Sequence, residues 1–362
     1  MSTSPFMTPD QSRERRASAA RRRRSRRLAA FGVLVLAVLA GVLGAIALAK
    51  SHTRHDSTVA SDRAAKHRRA PAAQRLSQTG LALGTPPLTL AGLATPQLEP
   101  VHLVFHSPPR AGLLFNLSTG QILWQRNALT HLPIASLTKM MTALLAVQAA
   151  PPDAPVLVTH QAIGEGGSKV GVLPLGRHVR LDSMLYGLLL PSGNDAAMAL
   201  AQHVAGNAER FVARMNAEAA KLGMGCTRYS SPSGFYDAGN FSCAADLAEL
   251  ARVDLSQPRI ARVARTYSAV LPFPIKGGKL YLYNNNPLLI YHYPGATGLK
   301  TGYTLAAGRC LVATAERDGV RLGVVVLNSL APGTQARQLL DRGFEDVYHL
   351  RRVSEPPLPA GA

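Results

Sequence analysis

Residues 28–49 constrain this chain most, because they are 22 consecutive residues without a charged side chain. About 20 apolar residues in a helix are enough to cross the hydrocarbon core of a bilayer. The preceding residues 1–27 contain nine arginines against only two acidic residues. Basic residues beside an apolar span stay on the cytoplasmic side. We therefore predict a single transmembrane helix with its N-terminus inside and the remainder of the chain outside the cytoplasm.

One alternative to a retained membrane anchor stays open. Ala47-Leu48-Ala49 has the small-residue spacing of a signal-peptide cleavage site, so removal of the segment after Ala49 competes with retention. An arginine run can also mark a nucleic-acid-binding arm. More than half of the net charge of +19 lies in residues 1–100, beside the apolar span and its flank. We therefore predict a membrane partner and no nucleic-acid partner.

The remaining chain divides by composition into three parts. Residues 50–100 are rich in proline, glycine and polar residues without helical or strand periodicity, which is typical of a flexible linker. Residues 101–350 contain the periodic apolar segments of one folded domain. Residues 351–362 are proline-rich and are predicted to be a disordered tail.

The order of elements within residues 101–350 indicates an α+β fold. Strand-like runs at 111–116 and 121–125 come first, and a helix-rich block follows to about residue 265. Strand-like runs then return at 267–272, 279–283, 309–316 and 321–328, before an amphipathic helix at 335–348. This order predicts a sheet built from both ends of the domain, with a helical lobe inserted between them.

The first chemical motif is Ser136-Leu137-Thr138-Lys139, which opens an apolar helical run. Residues three apart lie on the same face of a helix, so the hydroxyl and the amine are expected side by side. A serine needs a base within hydrogen-bond reach to act as a nucleophile. A lysine is that base only when burial or a nearby cation lowers its pKa. By itself this spacing occurs by chance in many helices.

Two further motifs strengthen the case. Ser192-Gly193-Asn194 follows an apolar helix, and Lys300-Thr301-Gly302 stands where an edge strand would place a cation and a hydroxyl toward a cleft. Taken singly, the first is equally an ordinary helix cap and the second a lysine on a solvated strand. In this order, however, the three motifs match the pattern of penicillin-recognising serine acyl-transferases.

From about Gly112 to Tyr348 the chain resembles the serine-type D-Ala-D-Ala carboxypeptidases, the low-molecular-mass penicillin-binding proteins. The resemblance extends beyond the three motifs, for example to Ser231-Pro232-Ser233-Gly234 and to the run of asparagines at 284–286. It implies a β-lactamase/transpeptidase-like domain, with an antiparallel sheet and flanking helices. The chain departs from the usual family pattern at Asn116, at His131, where arginine is common, and at Cys243.

The resemblance also implies roles for individual residues. Ser136 would be the nucleophile, Lys139 its base and Ser192 a proton relay, acting on the peptidoglycan stem peptide without a metal or an organic cofactor. β-Lactams would be covalent inhibitors. The residues expected to bind the substrate are Asn194, Lys300, Thr301, Gly302 and Tyr303.

Three other functions are alternatives to a carboxypeptidase. A DD-endopeptidase that cuts peptidoglycan crosslinks would form the same acyl-enzyme, and the sequence does not separate it from a carboxypeptidase. A non-catalytic wall-binding protein would have no need of the nucleophile and base pair. A serine β-lactamase needs a positioned carboxylate for fast deacylation, and Glu165 lacks the sequence context of that class.

The chain contains three cysteines, Cys226, Cys243 and Cys310. Exported proteins often pair their cysteines, and only Cys226 and Cys243 are close in sequence. A bridge between these two and three separate buried thiols are both compatible with the sequence.

Overall fold

A computed structural model describes residues 99–236 and 238–350. The basic segment 1–27, the apolar segment 28–49, the tail 351–362 and nearly all of the linker lie outside the described residues. Among the helices that are described, none has the length and apolar character needed to cross a bilayer.

The strands form one five-stranded sheet and three two-stranded pairs. The large sheet has the order β2-β1-β11-β10-β9, and all its neighbours are antiparallel. The strands are β1 (Ala111–Asn116), β2 (Ile122–Arg126), β3 (Leu132–Pro133), β4 (Pro155–Leu157), β5 (His178–Arg180), β6 (Phe241–Ser242), β7 (Ser268–Pro272), β8 (Lys279–Tyr283), β9 (Ala296–Thr304), β10 (Gly308–Arg317) and β11 (Val320–Ser329). The sheet therefore joins strands from both ends of the domain, as the sequence predicts.

The helices lie mainly in the part of the chain between β2 and β9. They are α1 (Lys139–Ala149), α2 (His160–Gly164), α3 (Leu181–Leu189), α4 (Asn194–Ala205), α5 (Ala208–Lys221), α6 (Ala244–Ser256), α7 (Pro258–Ala264), α8 (Pro287–Ile290) and α9 (Pro332–Arg342). Helix α1 is buried along most of its length and packs against α3, α4 and α6 at the centre of the helical lobe.

Both faces of the large sheet are buried, which explains its nearly continuous apolar runs. In β11, Val325 and Leu327 pack into the core shared with the helical lobe. The alternate residues Val324 and Val326 face a second core formed with α9. The sheet is thus the middle of three layers, and its β9 edge lies beside the turn that precedes α1.

The end of the domain differs from the sequence-based prediction. Helix α9 begins at Pro332, three residues before the predicted start, and its α-helical part ends at Arg342. Gly343–Val347 form a π-helical turn instead of continuing the α-helix to Tyr348. Gly343 packs against Leu114 and Leu322 of the sheet, where a larger residue would collide with both side chains. Close packing at this point coincides with the change in helical geometry.

Candidate active site

Ser136 and Lys139 meet at the junction of two kinds of helix. Ser136 lies in a 3-10 turn, Ala135–Thr138, and Lys139 is the first residue of α1. Side chains three residues apart are eclipsed in a 3-10 helix. Lys139 Nζ accordingly lies 2.8 Å from Ser136 Oγ. The sequence predicts the right pair, although the turn that joins them is tighter than the expected α-helix.

Lys139 has two more hydrogen-bond partners from distant parts of the chain. Its Nζ donates to Asn194 Oδ1 at 2.7 Å and to the Ser233 carbonyl at 2.8 Å. A neutral amine has two N–H bonds and one lone pair. When these two acceptors hold both N–H bonds, the lone pair faces the Ser136 hydroxyl. The network thus gives a neutral Lys139 the geometry that a proton acceptor for Ser136 requires.

The surroundings of Lys139 also favour its neutral form. Its side chain is fully buried, and burial lowers its pKa well below the usual value, with a further lowering from the nearby Lys300. Asp195 and Glu165 oppose this shift. Burial likewise lowers the pKa of Lys300 to about 7. Near neutral pH the site therefore contains two lysines with a much reduced tendency to be charged.

Ser192 is held in an uncommon conformation between α3 and α4. Its φ is +65°, and its hydroxyl is buried without a hydrogen-bond partner among the described residues. The next polar residue, Asn194, is the first residue of α4 and donates its side-chain amide to the Gly166 carbonyl at 2.6 Å. Asp195 accepts the backbone amides of Val170 and Gly171. These contacts fix the loop around residue 168 against the start of α4.

Strand β9 passes very close to the turn Ala135–Thr138, which contains Ser136. A Cβ added at Gly302 would lie 2.9 Å from the Ile134 carbonyl and 3.2 Å from the Ser136 amide nitrogen. Only glycine permits this approach without displacement of the turn. Tyr303, the next residue, is well exposed. The approach sets the β9 backbone after Gly302 beside the amide of Ser136.

A cavity of about 370 Å³ opens over these groups. The predicted residues that line it are Ser136, Ser192, Thr301, Gly302 and Tyr303. Lys139, Asn194 and Lys300 are buried behind this lining. Lys300 Nζ donates to the Thr301 carbonyl at 2.9 Å. The structure thus brings all eight predicted residues together, in two layers.

Some residues of the site received no individual role from the sequence, although Ser233 and Asn285 lie in segments that carry the family resemblance. Ser168, Asn285 and Arg309 line the cavity, and Ser233 supplies the carbonyl that accepts from Lys139. Arg309 lies directly opposite Tyr303 in the β9–β10 register. Its position could have been predicted by pairing the two strands across the intervening turn. No sequence signal marks the Ser233 carbonyl, because a backbone acceptor leaves no trace in residue type.

Comparison with known proteins identifies the family. The family model described as D-alanyl-D-alanine carboxypeptidase matches residues 108–331. The chain belongs to this family. It is 34% identical over 243 residues to the D-alanyl-D-alanine carboxypeptidase DacF of Bacillus subtilis, an alignment that covers 65% of this chain and 62% of that protein. The family membership confirms the resemblance predicted from the three motifs.

Other relatives extend this result. The D-alanyl-D-alanine carboxypeptidase DacB2 of Mycobacterium tuberculosis is 36% identical over 66% of this chain and 82% of its own length. A D-alanyl-D-alanine endopeptidase of Pseudomonas aeruginosa is 32% identical over 68% of this chain and 81% of its own length. The Streptomyces K15 DD-transpeptidase structure superposes with a TM-score of 0.63 at 29% identity and covers 67% of this chain and 99% of that one. The α+β transpeptidase-like fold is thereby confirmed.

Proposed function

We propose that this protein is a serine D-Ala-D-Ala carboxypeptidase, which removes the terminal D-Ala from peptidoglycan stem pentapeptides through an acyl-enzyme on Ser136. The observation that carries the proposal is the contact between Ser136 Oγ and a buried lysine amine whose other partners are fixed. Family membership supplies the substrate class, the peptide bond between two terminal D-alanines.

Acylation begins with proton transfer from Ser136 to Lys139. The lone pair of the neutral amine receives the hydroxyl proton while Oγ attacks the carbonyl carbon of the scissile bond. Asn194 Oδ1 and the Ser233 carbonyl then accept from the ammonium that forms. These acceptors stabilise the charge at the moment when it appears.

The negative charge on the tetrahedral intermediate needs hydrogen-bond donors. The backbone N–H groups of Ser136 and Tyr303 are the proposed pair, since Gly302 lets β9 approach the Ser136 amide closely. Loss of one such donor costs about 100- to 1,000-fold in rate in other enzymes. The buried hydroxyl of Ser192 lines the same cavity and is the proposed route of a proton to the leaving amine.

The free carboxylate of the terminal D-Ala sets the substrate's orientation. Thr301 lines the cavity, and the buried Lys300 is the expected cation next to it in β9. Because the pKa of Lys300 is lowered to about 7, it is only partly charged at neutral pH. Arg309 also lines the cavity, and the planar guanidinium group of an arginine offers paired N–H donors that fit a carboxylate. We therefore add Arg309 to the proposed carboxylate-binding residues.

Water completes the cycle by hydrolysing the ester on Ser136, with Lys139 again taking a proton. A β-lactam carries a carboxylate and a strained amide that enter the same chemistry, which makes it a covalent inhibitor. The proposal requires no metal ion and no organic cofactor.

The direct test measures D-Ala release from a stem pentapeptide by the purified protein, beside labelling with a fluorescent penicillin. Wild-type protein should give both signals, and Ser136→Ala should give neither while keeping its melting temperature. Ser118→Ala, a substitution in the turn between β1 and β2, is the matched control and should retain both. A folded wild-type protein without either signal would leave only a wall-binding role.

A DD-endopeptidase is the second candidate, and it is favoured by the relative from Pseudomonas aeruginosa that bears this name. Both activities pass through the same acyl-enzyme and differ in the group that leaves. Purified crosslinked dimers of stem peptides separate them. Penicillin labelling with cleavage of the dimers, and without D-Ala release from the pentapeptide, would replace the carboxypeptidase by the endopeptidase.

The cellular location is a separate proposal that rests on the sequence of residues 1–49. We infer that residues 28–49 anchor the protein in the bacterial cell membrane with the catalytic domain outside the cytoplasm. The uncharged length of this segment and the arginines before it support the inference. Protease added to intact spheroplasts should degrade residues 101–350, and N-terminal sequencing should show whether cleavage has occurred after Ala49.

A further inference from the structure

Cys226 and Cys243 lie side by side away from the catalytic cavity. Their Sγ atoms and a carboxylate oxygen of Asp246 are all within 4.8 Å of one another. The two side chains are 5% and 0% exposed and form a small apolar cluster with Ala245, separate from the two main cores. Both are thiols in the structure. The proposed catalytic chemistry uses neither of them.

The strand register explains why the thiols meet. Arg228 and Phe241 form an antiparallel bridge with both backbone hydrogen bonds at 2.9 Å. Continuing the pairing outward sets Thr227 opposite Ser242, whose hydroxyls are 2.7 Å apart. The next pair outward is Cys226 and Cys243. Directly opposite residues have Cβ atoms about 4.5–5.5 Å apart, slightly wider than the separation in a disulfide.

The segment between these cysteines, residues 227–242, contributes to the active site. The carbonyl of Ser233 accepts from Lys139 Nζ at 2.8 Å. The side-chain amide of Asn240 donates to Thr138 Oγ1 at 2.9 Å, and the carbonyl of Pro232 accepts from Thr142 Oγ1 at 2.6 Å. The loop therefore contacts both the turn Ala135–Thr138 and α1. The two cysteines flank it, one at each end.

We propose that Cys226 and Cys243 form a disulfide that closes the 227–242 loop at its base. The bridge forms by thiol–disulfide exchange with an extracytoplasmic oxidoreductase that carries an oxidised dithiol. The protein gives up two protons and two electrons as its two S–H bonds break and one S–S bond forms, and these reduce the disulfide of the oxidoreductase to two thiols. This inference rests on the proposed extracytoplasmic location and not on the proposed reaction, although Ser233 in the closed loop accepts a hydrogen bond from Lys139, the proposed base.

The same three side chains could also form a metal site, but their contacts favour a metal ion less than a disulfide. A structural zinc ion takes four ligands, commonly thiolates and imidazoles, whereas this group offers three. One Asp246 oxygen already accepts from the Cys226 amide at 2.8 Å and from Thr227 Oγ1 at 2.7 Å.

The experiment uses the full-length chain, produced with its own N-terminus in an exporting bacterial host and purified without reductant. Thiol titration in denaturant should find one thiol per chain, from Cys310, and three after reduction. Non-reducing peptide mapping should find one crosslinked peptide that contains Cys226 and Cys243. Three thiols without reductant would overturn the bridge, and so would stoichiometric zinc released together with those thiols.

A second measurement tests what the bridge does. Reduction should lower the melting temperature of the wild type by about 5–10 °C, because the loop is then open in the unfolded chain. The Cys226→Ala/Cys243→Ala double variant has no bridge to lose, so reductant should leave its melting temperature unchanged. An unchanged wild-type melting temperature, while the thiol count rises from one to three, would contradict stabilisation of the fold by the bridge.

Discussion

Asn194 Oδ1 lies 2.7 Å from Lys139 Nζ, so the first residue of α4 accepts a hydrogen bond from the first residue of α1. The same Asn194 side chain donates to the Gly166 carbonyl on its other side. This amide is therefore oriented, with its oxygen toward the amine. It accepts from Lys139 without introducing a negative charge that would keep the lysine protonated.

Asn194→Asp tests this arrangement through pH dependence. A carboxylate beside Lys139 raises the pKa of the lysine, because an opposite charge favours the ammonium form. We expect penicillin acylation near neutral pH to fall about 10- to 100-fold and to recover as the pH rises. Asn207→Asp, at the N-cap of α5, is the matched control, since aspartate caps a helix as well as asparagine does. An unshifted acidic limb would contradict the role assigned to Asn194.

Lys300→Met should move the acidic limb in the same direction for a different reason. Below about pH 7 Lys300 is charged and helps to lower the pKa of Lys139. Without that cation the pKa of Lys139 rises, so activity is lost at a higher pH as the solution is acidified. The measurement is the rate of penicillin acylation between pH 5 and 9, with exposed Lys279→Met as control. A limb that stayed in place or moved to lower pH would exclude the coupling between the two lysines.

Gly302→Ala should damage the site without unfolding the domain. The added methyl group would lie 2.9 Å from the Ile134 carbonyl and 3.2 Å from the Ser136 amide nitrogen, so β9 and the turn must separate. We expect the acylation rate to fall by about 100- to 1,000-fold, the effect of losing one oxyanion donor.

Gly164→Ala is the control for this change. Gly164 ends α2, and a Cβ there meets nothing within 4 Å. Its rate and circular dichroism should match those of the wild type. Wild-type activity in Gly302→Ala would show that the two backbones need not approach so closely.

Asp254 gives a prediction about stability. Its side chain is fully buried, and neither carboxylate oxygen has a hydrogen-bond partner among the described residues. Burial raises its pKa well above the usual value of 3.8. The folded protein therefore holds a proton that the unfolded chain releases above pH 4, so stability from this group is full at low pH and declines as pH rises toward the folded-state pKa.

Asp254→Asn removes that titration. Its free energy of unfolding should exceed that of the wild type at pH 7, and the difference should shrink as the pH falls toward 4. Urea unfolding at both pH values measures it, with exposed Asp153→Asn as the control. A difference that is equal at both pH values would mean that Asp254 does not titrate with folding.

The sequence predicts those parts of the site that depend on local spacing. Ser136 and Lys139 lie within one turn, and Lys300 to Tyr303 lie in one strand, so their relation needs no tertiary information. The edge position of β9 also matches the prediction. Contacts made through backbone atoms could not be predicted, as the Ser233 carbonyl shows. The predicted end of α9 at Tyr348 was wrong, because amphipathic spacing carries no information about the close packing of Gly343 against the sheet. The α-helix ends at Arg342, directly before that contact.

The three contacts of Lys139 also determine at what stage of folding the protein becomes reactive. Its two fixed acceptors come from residues 55 and 94 positions away in the chain. Burial, the main cause of its lowered pKa, also requires the assembled helical lobe. In a partly folded chain the same lysine is exposed, protonated and unable to accept a proton. The newly made protein is therefore chemically inert, and reactivity toward acyl donors begins only when the last of these distant segments is in place.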